Sequence, residues 1–144
     1  MATARDSVFY AATFTNKYLA DARKLGGRVV PLPFEITVVS ASATNDTYNL
    51  TVIPANARVV GLECTTDGIG VSAGANITFQ MGDAGSAARY MAATDFDVSG
   101  AAGTLAIAGA GYTPTADTIV VGKFVGAAVV GKVVKGVIYI IPGA

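Results

Sequence analysis

Chemistry in this chain would have to rest on carboxylates, because the sequence contains no histidine and a single cysteine. Glu35 and Glu63 are its only glutamates. A glycosidase would need two such acids facing each other across a cleft. Both instead fall inside runs patterned as strands, the spacing does not bring them together, and no tryptophan is present to stack a sugar. Asp83, Asp95 and Asp97 form the other acidic group, and carboxylates two residues apart can share a calcium ion. The EF-hand spacing is absent, and aspartates beside glycines ordinarily cap turns.

Without histidine there is neither a Ser-His-Asp nor a Cys-His nucleophile, and no imidazole to shuttle protons near neutrality. Cys64 alone can complete neither a zinc site nor an internal disulfide. It reads as a small apolar residue of a strand, made in a reducing cytoplasm. Gly68-Ile69-Gly70 is followed by Val71, Ser72 and Ala73 before Gly74, so the dinucleotide fingerprint fails. Asn45-Asp46-Thr47, Asn49-Leu50-Thr51 and Asn76-Ile77-Thr78 match the N-glycosylation pattern, but threonine-rich strands generate such matches by chance. Neither an enzyme nor a cofactor is expected.

What remains is contact chemistry, and it concentrates at the N-terminus. Residues 1–28 hold five of the ten basic side chains, Arg5, Lys17, Arg23, Lys24 and Arg28, together with Phe9, Tyr10, Phe14 and Tyr18. Aromatic and arginine side chains are the usual anchors of protein interfaces. Arg5, Phe9, Tyr10, Phe14, Lys17, Tyr18, Arg23 and Lys24 are therefore the candidate contact residues. The spacing of Phe14, Tyr18 and Leu25 fits one or two helical turns closed by Gly26-Gly27. An extended arm laid on a neighbouring molecule fits equally well.

From Val29 onward the pattern is of strands separated by turn signals. Val29–Val39 carries Pro31 and Pro33, which places its start at a sheet edge and its regular part from Phe34. Tyr48, Leu50 and Val52 alternate with Asn49 and Thr51, Pro54-Ala55-Asn56 breaks the run, and Arg58–Thr65 follows. Ala75–Met81 alternates again, Gly82–Gly85 reads as a loop, and Arg89–Phe96 as a short strand or one helical turn. Residues 99–116 read as a long loop with a weak strand at Leu105–Ile107. Thr118–Val125 and Val133–Ile141 close the chain, with Gly126–Gly131 joining them as a hairpin. Seven to nine short strands without long helices predict an all-β fold, a β-sandwich or jelly-roll-like barrel over residues 29–144, preceded by an extended N-terminal arm over 1–28.

Composition narrows the function further. Hydrophobic residues make up 52% of the chain and charged residues 14%, with 17 glycines and no net charge. Ordinary domains carry roughly 25% charged residues, so part of the apolar surface is expected to be covered by other protein chains. The charge balance gives no basic face for nucleic acid. Ile119–Ile141 is too interrupted by lysines and glycines to span a membrane as a helix, and the first six residues lack the pattern of a secretion signal.

Residues 47–95 carry a resemblance. Tyr48-Asn49-Leu50-Thr51-Val52-Ile53-Pro54-Ala55-Asn56-Ala57-Arg58-Val59 is followed by Gly61-Leu62-Glu63, the Asp67-Gly68-Ile69-Gly70 turn, Ile77–Asp83 and Ala88-Arg89-Tyr90-Met91. This order resembles the small head proteins of tailed phages, in particular capsid decoration or cement proteins. The resemblance implies a β-sandwich or barrel on the outside of a virion, partnered by the major capsid protein and by its own copies, with a trimer as the expected assembly. Two other classes fit the sequence: another virion part, such as a tail-tube, head-fibre or capsid subunit, and a carbohydrate-binding β-sandwich.

Overall fold

Nine strands account for the regular structure of the described residues, which in this computed structural model are 4–6, 28–39, 46–69, 77–126, 128 and 130–143. In chain order they are β1 (Ala4–Asp6), β2 (Val30–Thr37), β3 (Thr47–Ile53), β4 (Arg58–Asp67) and β5 (Thr78–Asp83). β6 (Ser86–Asp95), β7 (Ser99–Thr104), β8 (Thr118–Val125) and β9 (Val133–Ile141) follow. Starting from the tight β5–β6 turn at Ala84-Gly85, the chain pairs outward: β5 with β6, β4 with β7, β3 with β8 and β2 with β9, all antiparallel. Rolling that long hairpin up gives two sheets, β1-β3-β8-β5-β6 and β2-β9-β4-β7, the connectivity of a jelly roll with one added strand.

The alternation of the sequence decides which face each strand buries. On β2, Leu32, Phe34 and Ile36 are buried while Pro31, Pro33, Glu35 and Thr37 face solvent. Both prolines fall on the parity that faces away from β9, so the ladder is regular from Val30, four residues earlier than the sequence implies, and only the outer edge loses donors. On β4 the buried parity shifts from Val59 to Leu62 and Cys64, because a bulge lies between Val59 and Gly61. A second irregularity between Asn49 and Thr51 turns Thr51 inward, against its expected solvent position.

Of the two alternatives for Arg89–Phe96 the strand holds, and it is longer than expected, β6 having ten residues. Two expected elements differ. The weak strand lies at Ser99–Thr104 rather than Leu105–Ile107, because residues 106–112 close on themselves through hydrogen bonds such as Gly109 N to Ala106 O (3.0 Å) and Tyr112 N to Gly109 O (3.1 Å). Nor do β8 and β9 form a hairpin. They belong to different sheets, and the connection is tied instead to the end of β2, with Val38 N donating to Lys132 O (2.9 Å) and Gly131 N to Val38 O (2.6 Å). The run once weighed as a span is thus two strands of two sheets; among the described residues no helix is long and apolar enough to cross a membrane.

Between the sheets lies one core. Phe79 stacks on Phe96 with ring centres 5.7 Å apart and tilts against Phe124 at 4.9 Å, and Phe124 meets Tyr48 edge-on at 5.4 Å. These rings fit because the opposing positions have no side chain. A Cβ on Gly122 would lie 2.5 Å from Phe79 Cζ, and one on Gly136 would lie 2.7 Å from Phe34 Cζ and 2.2 Å from the Glu63 carbonyl. At the turn after β3, Asn56 adopts φ 63°, a left-handed conformation asparagine tolerates, and Ala57 N closes it onto Pro54 O at 3.1 Å.

Gly122→Ala should therefore destabilise the fold by about 1–3 kcal/mol through overpacking. Adding Phe79→Leu, which withdraws the ring, should cost less than the two single changes summed. Urea denaturation of the four proteins in a double-mutant cycle measures this; strict additivity would contradict the packing described.

Candidate functional site: outer sheet faces and the N-terminal segment

The acidic residues resolve into structural roles. Asp83, at the end of β5, is almost wholly consumed by its own hairpin. Its Oδ1 accepts from Gly85 N (2.9 Å) and Ser86 N (3.0 Å), and its Oδ2 accepts from Arg89 Nε (2.7 Å) and Tyr90 OH (2.9 Å). Burial alone would raise the carboxyl pKa, but the four donated hydrogen bonds outweigh it and hold Asp83 below the usual carboxylate range. The same burial, with the bond to Asp83, pushes the Tyr90 phenol up.

Arg89 then lies over the ring of Tyr112, 4.1 Å from its centre, and Tyr90 meets Tyr112 edge-on at 6.1 Å. The cluster clamps the β5–β6 hairpin to the long loop after β7. Asp97 Oδ1 accepts from Ile77 N (2.8 Å) and Asp95 Oδ1 from Asp97 N (2.9 Å). Asp83 and Asp95 thus serve local turns, Asp97 ties the segment after β6 to the start of β5, and among the described residues no three metal-ligating side chains come together. Cys64 is buried, and its thiol is pushed up to about 12 by burial.

Glu35 and Glu63 do reach one surface. Glu35 is paired in register with Lys135 on β9, Glu63 with Val137, and all four line a shallow open concavity of about 580 Å³ across the outer face of the four-stranded sheet. The floor is mostly apolar or small, with Pro33, Ala102 and Thr104 beside Val137. Tyr139 OH donates to Glu63 Oε2 at 3.1 Å, an exposed contact that raises the phenol pKa. A broad, open sheet face of this kind presents contact area. Further apolar side chains stand out at its ends and on the loops: Ile107 is 95% exposed and Val39 69%.

Of the candidate contact residues, Arg5 lies in β1, which runs parallel to β3 with Arg5 opposite Tyr48. Phe9, Tyr10, Phe14, Lys17, Tyr18, Arg23 and Lys24 lie outside the described residues, as does the helical-turn alternative. Sequence reasoning passed over β1 because Ala4-Arg5-Asp6 has no strand preference; its pairing depends on a partner more than forty residues away in sequence. The charge is divided between the two parts. Residues 1–28 carry five basic and two acidic side chains, net +3, and residues 29–144 five basic and eight acidic, net −3.

No protein-family profile matches the sequence, and no curated protein matches it. Solved structures do. One is a chain of the cyanophage Pam1 capsid asymmetric unit, 28% identical, with a TM-score of 0.66 over 81% of this chain and 87% of that one. A chain of the Ralstonia phage GP4 capsid gives a TM-score of 0.69 at 21% identity, covering 83% of this chain and 87% of that one. A chain of the acidic stable capsid structure of Helicobacter pylori bacteriophage KHP30 gives 0.59 at 24% identity, covering 80% and 89%. The fold is one found in phage capsids.

Asp83→Asn should weaken the hairpin clamp by about 1–3 kcal/mol, since it leaves buried donors poorly matched. Because the folded-state pKa of Asp83 is depressed, its stabilisation is present above the unfolded carboxylate value near 4 and is lost as pH falls through the lower folded value. Thermal unfolding from pH 7 to pH 2 should show the wild type losing its advantage over the variant below about pH 4. A constant difference across that range would remove Asp83 from the acid response.

Proposed function

We propose that this chain is a structural protein of a phage virion that binds the outside of the capsid and stabilises contacts between capsomers. The observation that carries this reading is the likeness to a chain of the cyanophage Pam1 capsid asymmetric unit, which extends over most of both chains at 28% identity. Physical features point the same way. A jelly roll with two broad outer faces, low charge and exposed apolar side chains offers surface for neighbouring chains. The acidic body favours an outer position, since a face against packaged DNA would have to neutralise phosphates.

In this reading the partner is the major capsid protein, and copies of the chain associate with one another as a closed trimer on the shell surface. Arg5, Phe9, Tyr10, Phe14, Lys17, Tyr18, Arg23 and Lys24 supply the contact, with the aromatic side chains as buried anchors and the basic ones selecting an acidic partner surface. A single such contact is weak, and many copies on one shell multiply it. No cofactor enters.

Replacing Phe9, Tyr10, Phe14 and Tyr18 together by serine should leave the body folded, with unchanged circular dichroism and unfolding midpoint. Co-sedimentation with undecorated shells should drop at least tenfold, since each lost anchor is worth about 1–2 kcal/mol. A chain lacking residues 1–20 should behave in the same way. Shell binding equal to wild type by both variants would refute this role of the segment, and no binding by the wild type would refute the capsid reading itself.

A further inference from the structure

Between β7 and β8 the chain leaves the four-stranded sheet at Thr104 and returns to its edge at Gly111 and Tyr112. There Gly111 N donates to Val59 O (2.8 Å) and Val59 N to Tyr112 O (2.9 Å). The excursion between those points is fixed from within and from the side. Ala110 N donates to Ala106 O (3.2 Å), and Ala106 N to Tyr90 O of β6 (2.8 Å). Gly109 packs so closely on β6 that a Cβ there would lie 2.7 Å from the Arg89 carbonyl oxygen. On this base stands Ile107, 95% exposed.

So exposed an isoleucine contributes nothing to its own core, and its backbone is nevertheless held in one place. A side chain presented in that way loses little conformational freedom when a partner encloses it. Residues 98–116 around it carry no charged side chain, so the loop can enter an apolar surface without stripping water from a charge.

The same chain carries a surface of matching chemistry. The concavity of about 580 Å³ on the outer face of the four-stranded sheet has Pro33, Ala102, Thr104 and Val137 in its floor. Glu35, Glu63 and Lys135 stand around that floor, and an uncharged knob meets neither sign with a like charge. The exposure of Ile107 means that it does not fill the concavity of its own copy.

We propose that Ile107 of one copy seats in the concavity of a second copy of this chain. Knob and socket are different surfaces, so the contact is head-to-tail, and repeats of it close into a ring where the rotation between copies allows. The inference rests on the self-association in the proposed function and names the surfaces that make it, yet its test needs only the purified chain.

Light scattering should show the wild type as a closed oligomer and Ile107→Ser as a monomer with an unchanged unfolding midpoint. Ile107→Val should keep the oligomer. Ala102→Arg, which fills the concavity from an exposed position on β7, should also give a monomer. For a direct readout, an Ile107→Cys preparation is mixed with an Ala102→Cys preparation under mild oxidation. The native thiol of Cys64 is buried and largely protonated at neutral pH, so it competes poorly. A disulfide between residues 107 and 102 of different chains should form roughly tenfold or more above the yield with Ala92→Cys, because seating raises the local thiol concentration. Ala92 is an exposed position on β6 outside the concavity. A monomeric wild type, an Ile107→Ser protein of wild-type mass, or no excess of the 107–102 disulfide each overturns the proposal. Ile107→Ser that keeps its mass but no longer co-sediments with shells would assign the knob to a capsid subunit instead. Co-sedimentation of the wild type is a separate measurement, so a failure of the capsid reading is told apart from a failure of this contact.

Discussion

The close approach of the two sheets around the Phe79, Phe96, Phe124 and Tyr48 rings is the constraint on which the other features rest. Those rings come from β3, β5, β8 and the residue after β6, so one aromatic contact line draws together most of the five-stranded sheet. The four-stranded sheet can close onto it because Phe34 turns inward across from Gly136, as Phe79 does from Gly122. Large rings against missing side chains are one solution to filling a thin core at native density. It gives a physical reason for Gly122 and Gly136 within strands, which composition alone could as easily have assigned to loops.

With the inside filled this way, the polar side chains of the described residues are drawn into structural bonds or left on open faces. A densely hydrogen-bonded polar cluster, Asp83 with Arg89, Tyr90 and Tyr112, joins a hairpin to a loop, and its carboxylate oxygens are already engaged. The glutamates sit on an open face, accompanied by Lys135 and Tyr139. Open faces and knobs such as Ile107 serve contact with other chains better than they serve the exclusion of water that catalysis demands.

The edges of the sheets deserve the same reading as their faces. Prolines close one edge, the loop after β7 reaches another through Ala106 N to Tyr90 O (2.8 Å), and a three-residue parallel strand takes up part of a third. Sheet proteins that must exist both as free subunits and within an assembly need edges that resist random pairing while admitting the intended neighbour. A strand that opens with prolines and an edge held by a loop both work against random pairing.

Much of the fold was legible in the sequence. Period-two alternation marked β3 and β5, because a strand buried on one face must repeat every second residue, and strand-forming runs between turn signals marked β2, β4, β8 and β9. The absence of histidine and the lone Cys64 removed whole classes of chemistry, because those depend on residue types and not on geometry. Tertiary structure decided the rest. β8 and β9 are neighbours in sequence yet part into different sheets, since each finds its ladder with strands far earlier in the chain. The bulges beside Val59 and Asn49, the inward turn of Thr51 and the parallel seat of Ala4-Arg5-Asp6 have no local signal either. Pattern reports how one strand divides its own faces; which strand lies beside it is settled only when long-range ladders and a shared core are satisfied together.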